Sequence, residues 1–182
     1  MKRLLSLTIV LLFAFICSAS LAEASMTASD GTPIQMKDFT LALESGMYYQ
    51  PPAETDPQLI VVYPGFASAD MSIVAVMYDE ANTLNATEES LAEVAESIRK
   101  EGLRGAQCTV TGPDTAEMFH KNCYVTTIRS EEIILGSVVI TYSRTYQDPE
   151  SGYNAIITTD TEERLDAWSE WLNSAFSWNE AR

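Results

Sequence analysis

The chain has 182 residues, 46% of them hydrophobic, and carries 26 acidic residues against 11 basic ones, a net charge of −15 with a single histidine. That length suits one domain able to bury its own core. The charge disfavours nucleic acid and anionic lipid headgroups as partners, because both bind through cationic neutralisation.

The first 24 residues read as a secretory signal peptide. Lys2 and Arg3 precede an apolar run from Leu4 to Ile16 that only Ser6 and Thr8 interrupt, and small residues follow around Ala22 and Ala24. Both Ser20-Leu21-Ala22 and Ala22-Glu23-Ala24 suit a signal peptidase. The run is shorter than the roughly 20 residues that span a bilayer, so no stable membrane anchor is expected after cleavage. A lipoprotein would carry a small residue ahead of Cys17, where Ile16 stands. Removing Lys2, Arg3 and Glu23 with the leader leaves 9 basic against 25 acidic residues. The expected location is periplasmic or secreted, and the expected partner is a cationic or neutral protein.

Residues 25–37 are small and polar and read as a flexible lead-in to a single domain over 38–182. Phe39, Leu41 and Leu43 alternate with Thr40, Ala42 and Glu44, the period of a half-buried strand. Tyr48 and Tyr49 follow, then a proline-rich loop from Pro51 to Pro57, and β-prone runs over Leu59 to Tyr63 and Ser72 to Tyr78. A helix is expected after Asn85, with Asn85 capping and Glu88 reaching back. Leu91, Val94, Ala95 and Ile98 form its inner face, and Gly102 stops it.

After the leader, Cys108 and Cys123 remain, and an even pair in an oxidising compartment predicts one disulfide. Leu103 to Thr111 and Phe119 to Ile128 read as strands flanking Gly112-Pro113-Asp114-Thr115. Setting Cys108 opposite Cys123 pairs Val110 with Lys121 and puts the turn near Asp114 to Glu117. A bridge closing so short a loop stabilises by about 3 kcal/mol in the chain-entropy model. The pair lacks the Cys-x-x-Cys spacing of redox-active thiols.

Ile133 to Leu135 and Val138 to Tyr146 read as further β structure, and Asp148-Pro149-Glu150-Ser151-Gly152 turns the chain into Tyr153 to Thr158. The last helix is expected to start at a capping box, Thr159 with Glu162 or Asp160 with Glu163. Leu165, Trp168, Leu172, Ala175 and Phe176 would share its buried face. The sum is α+β: a twisted, mainly antiparallel sheet covered by helices.

The order of elements, the opening Phe39-Thr40-Leu41-Ala42-Leu43, the late Tyr153-x-x-Ile156 strand and the closing Asn173-Ser174-Ala175-Phe176 resemble PsbP-like proteins, a family that includes photosystem II PsbP and the periplasmic DcrB. The resemblance spans about Asp38 to Phe176. It implies an α/β/α sandwich used for binding or assembly, and it carries no catalytic residue across.

With one imidazole, His120, the chain is poor in the group on which general-base, triad and transition-metal sites lean. Ser68 and Ser72 lie outside any Gly-x-Ser-x-Gly elbow, and Ser97-Ile98-Arg99-Lys100 matches Ser-x-x-Lys without its companion motifs. Carboxylates are the abundant functional group. Glu88-Glu89 and Asp160-Glu162-Glu163 sit at helix starts, which the helix dipole explains. Asp79 and Glu80 follow a strand and are the candidate acidic contact; the oxygen-ligand spacing of an EF-hand is absent around them. No catalytic residue, metal ligand or cofactor is assigned. The leading expectation is a non-catalytic binding or accessory protein presenting an acidic surface to a protein partner. The alternatives are a carboxylate-dependent envelope glycan hydrolase, which needs two convergent carboxylates and one raised pKa, and a small-ligand carrier with a cavity near Trp168 and Tyr142.

Overall fold

Alternating apolar residues organise the chain into strands wherever the sequence shows period two. The structure, a computed structural model, describes residues 26–53, 58–65, 72–84, 86–103 and 105–179. The signal peptide, Ser68 and Asn85 lie outside these residues. Short strands come first: β1 (Thr27–Ala28), β2 (Ile34–Gln35), β3 (Phe39–Leu41), β4 (Tyr48–Gln50), β5 (Ile60–Tyr63) and β6 (Ile73–Tyr78). Helices α1 (Glu80–Thr83) and α2 (Glu88–Glu101) lead into three long strands, β7 (Gln107–Met118), β8 (Lys121–Ile134) and β9 (Ser137–Gln147). Strand β10 (Tyr153–Thr159), helix α3 (Glu162–Ala175) and strand β11 (Phe176–Trp178) complete the described chain.

The strands form an eight-stranded sheet, β1-β4-β5-β6-β10-β9-β8-β7, and a three-stranded sheet, β11-β3-β2. Every pairing of named strands is antiparallel. The expected α+β class therefore holds. Register places Tyr146, Ala155, Val76 and Ile60 in one row across the large sheet. That face meets Phe39 and Leu41 of the small sheet, Leu165 and Leu172 of α3, and Phe176 in the main core. Val110 and Ile128, a cross-strand pair, pack with Ala95, Ile98 and Leu103 beneath α2 in a second core.

The segment expected as a lead-in is docked rather than free. Thr27 and Ala28 pair with β4, Ile34 and Gln35 pair with β3, and Met36 is buried. Thr27-Ala28 and Ile34-Gln35 are each two residues long, too short to give a readable alternation. Helix α2 starts later than expected: Thr87 is its N-cap, in a capping box with Ser90. It ends as expected at Gly102, whose φ of 68° suits glycine and whose N–H bonds to Ile98 O. Helix α3 is capped by Thr161, which accepts from the N–H of Arg164, rather than by Thr159 or Asp160.

The expected disulfide is absent. Cys108 lies opposite Ser130 and Cys123 opposite Ala116, and both thiols are free. Ser130 and Cys123 are seven residues apart on β8, roughly 23 Å at about 3.3 Å per residue, against a limit near 7 Å between bridged Cα atoms. Gly112-Pro113 is not at the turn. It is a bulge inside β7, where the register shifts between Thr111 and Asp114, and a bulge tolerates the missing proline N–H. The chain reverses instead at Phe119 and His120, both left-handed at φ 60° and 58°. Phe119 is drawn into that conformation by burial: its ring packs 4.6 Å from Phe176 and 6.3 Å from Trp178.

Candidate functional site

Two polar clusters lie within the main body and are structural. Tyr153 donates its hydroxyl to Asp38 Oδ2 at 2.9 Å, and Gln58 Nε2 donates to both Asp38 Oδ2 and the Tyr153 oxygen at 3.2 Å. Burial, then the Asp38 carboxylate, raises the Tyr153 pKa. Near the aromatic ring of Trp178, Lys121 pairs with Asp148 at 3.2 Å. Burial pushes the Asp148 pKa up, but hydrogen bonds from the Ser151 hydroxyl and the Glu150 N–H, with the Lys121 charge, bring it below the usual carboxylate value. A general acid needs the opposite shift.

The residues singled out from the sequence are scattered. Asp79 ends β6; its N–H bonds to Gly152 O and its carbonyl accepts from Thr83 N–H, while Glu80 is exposed at the first turn of α1. His120 sits on the β7–β8 turn, where Nε2 lies 3.0 Å from Phe176 O. Ser72 is buried beside β6. Burial raises the Cys108 thiol pKa and pushes that of Cys123 up to about 12, with Cys123 Sγ bonded to Met118 O. Trp168 packs against the main core and meets Trp171 edge-on at 5.9 Å.

The feature unaccounted for by folding is the far end of the β8–β9 hairpin. Pairing with β7 stops at Glu131, opposite Gln107, and pairing with β10 stops at Tyr142, opposite Thr159. Residues 132–141 therefore extend beyond both neighbouring strands. Ile133 and Val138 face each other on one side; Glu132 and Val139, and Ile134 and Ser137, face each other on the other. Ile133 is 79% exposed, Val138 65%, and Leu135 is fully exposed. Leu135 and Gly136 make the turn, with φ of 51° and 82°. Such two-residue turns favour Asn-Gly, because a branched side chain is strained at positive φ.

The base of this hairpin is acidic. Glu131 and Glu132 stand on β8, and β10 delivers Asp160, Glu162 and Glu163 to the same end of the sheet, immediately after Thr159. The described arginines there are engaged internally: Arg129 with Glu131, Arg144 with Asp166 at 2.7 Å, and Arg164 with Asp160 at 2.6 Å. Asp79 and Glu80 lie at the opposite end, where Tyr78 pairs with Tyr153. Sequence reading took Ile133 to Leu135 and Val138 onward as ordinary strand. The available signal was their consecutive, non-alternating apolar character around a Leu-Gly turn, which leaves both faces apolar.

Among the described residues, no helix is long and apolar enough to cross a membrane. No protein-family model and no curated protein sequence matches the chain. Among solved structures, the chain is similar to cyanobacterial PsbP (CyanoP) from Synechocystis sp. PCC 6803, at 12% identity and a TM-score of 0.44, over 87% of this chain and 95% of that one. It is also similar to LpqN, involved in cell envelope biogenesis of Mycobacterium tuberculosis, at 14% identity and a TM-score of 0.34, over 85% of this chain and 91% of that one.

Proposed function

We propose that this chain is a non-catalytic accessory protein that acts outside the cytoplasm, in the envelope or secreted, and binds a cationic protein partner through an acidic surface. The observation that carries the reading is the acidic end of the large sheet. There Glu131, Glu132, Asp160, Glu162 and Glu163 gather against two arginines, Arg129 on Glu131 and Arg164 on Asp160, which leaves Glu132, Glu162 and Glu163 as the acidic excess. Such a field steers a cationic partner into encounter and repels an anionic one. Asp79 and Glu80 would add a second acidic contact at the other end. The apolar leader at residues 1–24 supports the location.

The test is mild crosslinking of the chain in the envelope fraction at low and at high salt. One basic partner whose yield falls as salt rises is the expected result, because exposed charges are screened within about 8 Å at physiological ionic strength. Recovery of no protein in either condition would remove the reading.

A further inference from the structure

We propose that the β8–β9 tip, residues 132–139, is a docking finger that enters an apolar slot with a basic rim on a protein partner. The inference rests on the reading above that the chain binds a protein.

The tip carries two unfavourable features that nothing within the described molecule offsets. Leu135 holds a left-handed φ of 51° while fully exposed, and Ile133 and Val138 present aliphatic surface to water. The β7–β8 turn provides the contrast: Phe119 adopts the same backbone conformation, but its ring is buried against Phe176. Strain and exposure at the tip become favourable only when something covers it.

Three observations choose the occupant. Aliphatic residues lie on both faces, Ile133 and Val138 on one and Ile134 and Val139 on the other, so a flat protein surface covers only half of them and a slot covers all. Beyond Glu131 on β8 and before Tyr142 on β9, neither strand has an outer partner strand among the described residues. Outward N–H and C=O groups there find partners in a protein slot and none in hydrocarbon. Finally, the base bears Glu132, Glu162 and Glu163 in excess over the Arg129–Glu131 and Arg164–Asp160 pairs, a net negative charge that complements a basic rim and repels an anionic leaflet. Two copies meeting tip to tip would bring the same carboxylates together, so like charge opposes a homodimer.

The experiment places a photoreactive benzoylphenylalanine at Ser137, which leaves the aliphatic side chains in place, and a second one, separately, at exposed Ala167 on α3. The envelope fraction is irradiated at low and high salt. The expected result is one discrete adduct at Ser137 with a different protein, its crosslinked peptide apolar and bordered by Lys or Arg. In the presence of Ile133→Asp that adduct should fall about 30-fold, about 2 kcal/mol at 1.4 kcal/mol per tenfold, the worth of burying one aliphatic side chain. An unchanged melting temperature shows that Ile133→Asp still folds. A lipid adduct, or cosedimentation with phosphatidylcholine vesicles, overturns the proposal in favour of a bilayer. An adduct of twice the chain's own mass overturns it in favour of self-association. No adduct at Ser137 overturns it too, and a salt-sensitive protein adduct from Ala167 alone does so while leaving the proposed function standing. A Ser137 adduct indifferent to salt supports the finger and removes the acidic steering.

Discussion

Replacing Leu135 by asparagine is expected to stabilise the folded chain, although it removes a hydrophobic residue. Leu135 is fully exposed and at φ 51°, so its truncation loses no packing and relieves a conformation that branched side chains resist. The left-handed region costs an ordinary residue about 1–2 kcal/mol, whereas asparagine visits it readily. A gain of about 1 kcal/mol should raise the melting temperature of a domain this size by about 2–4 °C. Phe119→Asn supplies the control on the same backbone conformation, φ 60°, but with a buried ring packed at a tilt against Phe176. Its relief of about 1 kcal/mol is outweighed by a core loss of about 3–5 kcal/mol, so that variant should melt lower. Calorimetry on both variants reads the two signs directly. An unchanged or lowered melting temperature for Leu135→Asn would refute the claim that the tip is strained and unsupported within the molecule, and with it the main motive for assigning it a partner.

Three further outcomes follow from the interior. Since neither Cys108 nor Cys123 is bridged, a thiol reductant should leave the melting temperature unchanged, and Cys123 should resist alkylation at pH 8 until the chain is denatured; a drop in melting temperature on reduction counts against the register of β7 and β8. Tyr153 is shifted upward by burial and by the Asp38 carboxylate, while an unfolded tyrosine ionises near pH 10. Its contribution is therefore complete below about pH 10 and is lost as pH rises toward the folded value. Tyr153→Phe should cost about 1 kcal/mol at pH 7 and flatten the alkaline decline in urea midpoint; an undiminished decline contradicts the assignment. Asp148 is shifted the other way, its burial outweighed by Ser151, Glu150 and Lys121, so its contribution is present above about pH 4 and lost as pH falls. Asp148→Asn should cost about 2 kcal/mol at pH 7 and flatten the acid limb, and an acid limb identical to the parent's would exclude Asp148 as its source.

Long elements with one buried face were legible in the sequence. Leu91, Ala95 and Ile98 gave α2 its inner face, and Tyr153 to Thr158 emerged as β10 almost to the residue. What misled was turn chemistry. Gly112-Pro113 carries the composition of a turn and is a bulge, whereas Phe119-His120 carries none of it and is the turn, because core packing of the phenylalanine outweighs local preference. The disulfide was expected from cysteine parity, and setting Cys108 opposite Cys123 then placed the turn too early, a register that the glycine-proline composition favoured. Strand β11 was hidden for a related reason: Phe176 continues the apolar row of α3, so periodicity alone reads it as helix until it is seen pairing with Leu41. The tip was in view as an apolar run, but exposure depends on where β7 and β10 stop, and that is a property of the assembled sheet.

The small sheet joins residues far apart in the chain: Phe176 pairs with Leu41, Trp178 with Phe39, and Asn179 N–H bonds to Asp38 O. Phe39 stacks on Phe176 at 4.8 Å, so this early strand keeps an uncovered apolar face until residues 176–178 arrive. The domain therefore cannot seal itself while it is being made. A chain translocated during synthesis would stay open and threadable until residues 176–178 had passed, and would close only on the far side. The same arrangement makes truncation self-reporting: a product that stops before Phe176 lacks the strand that pairs with Phe39 and Leu41 and exposes apolar surface, the state that proteases and chaperones recognise.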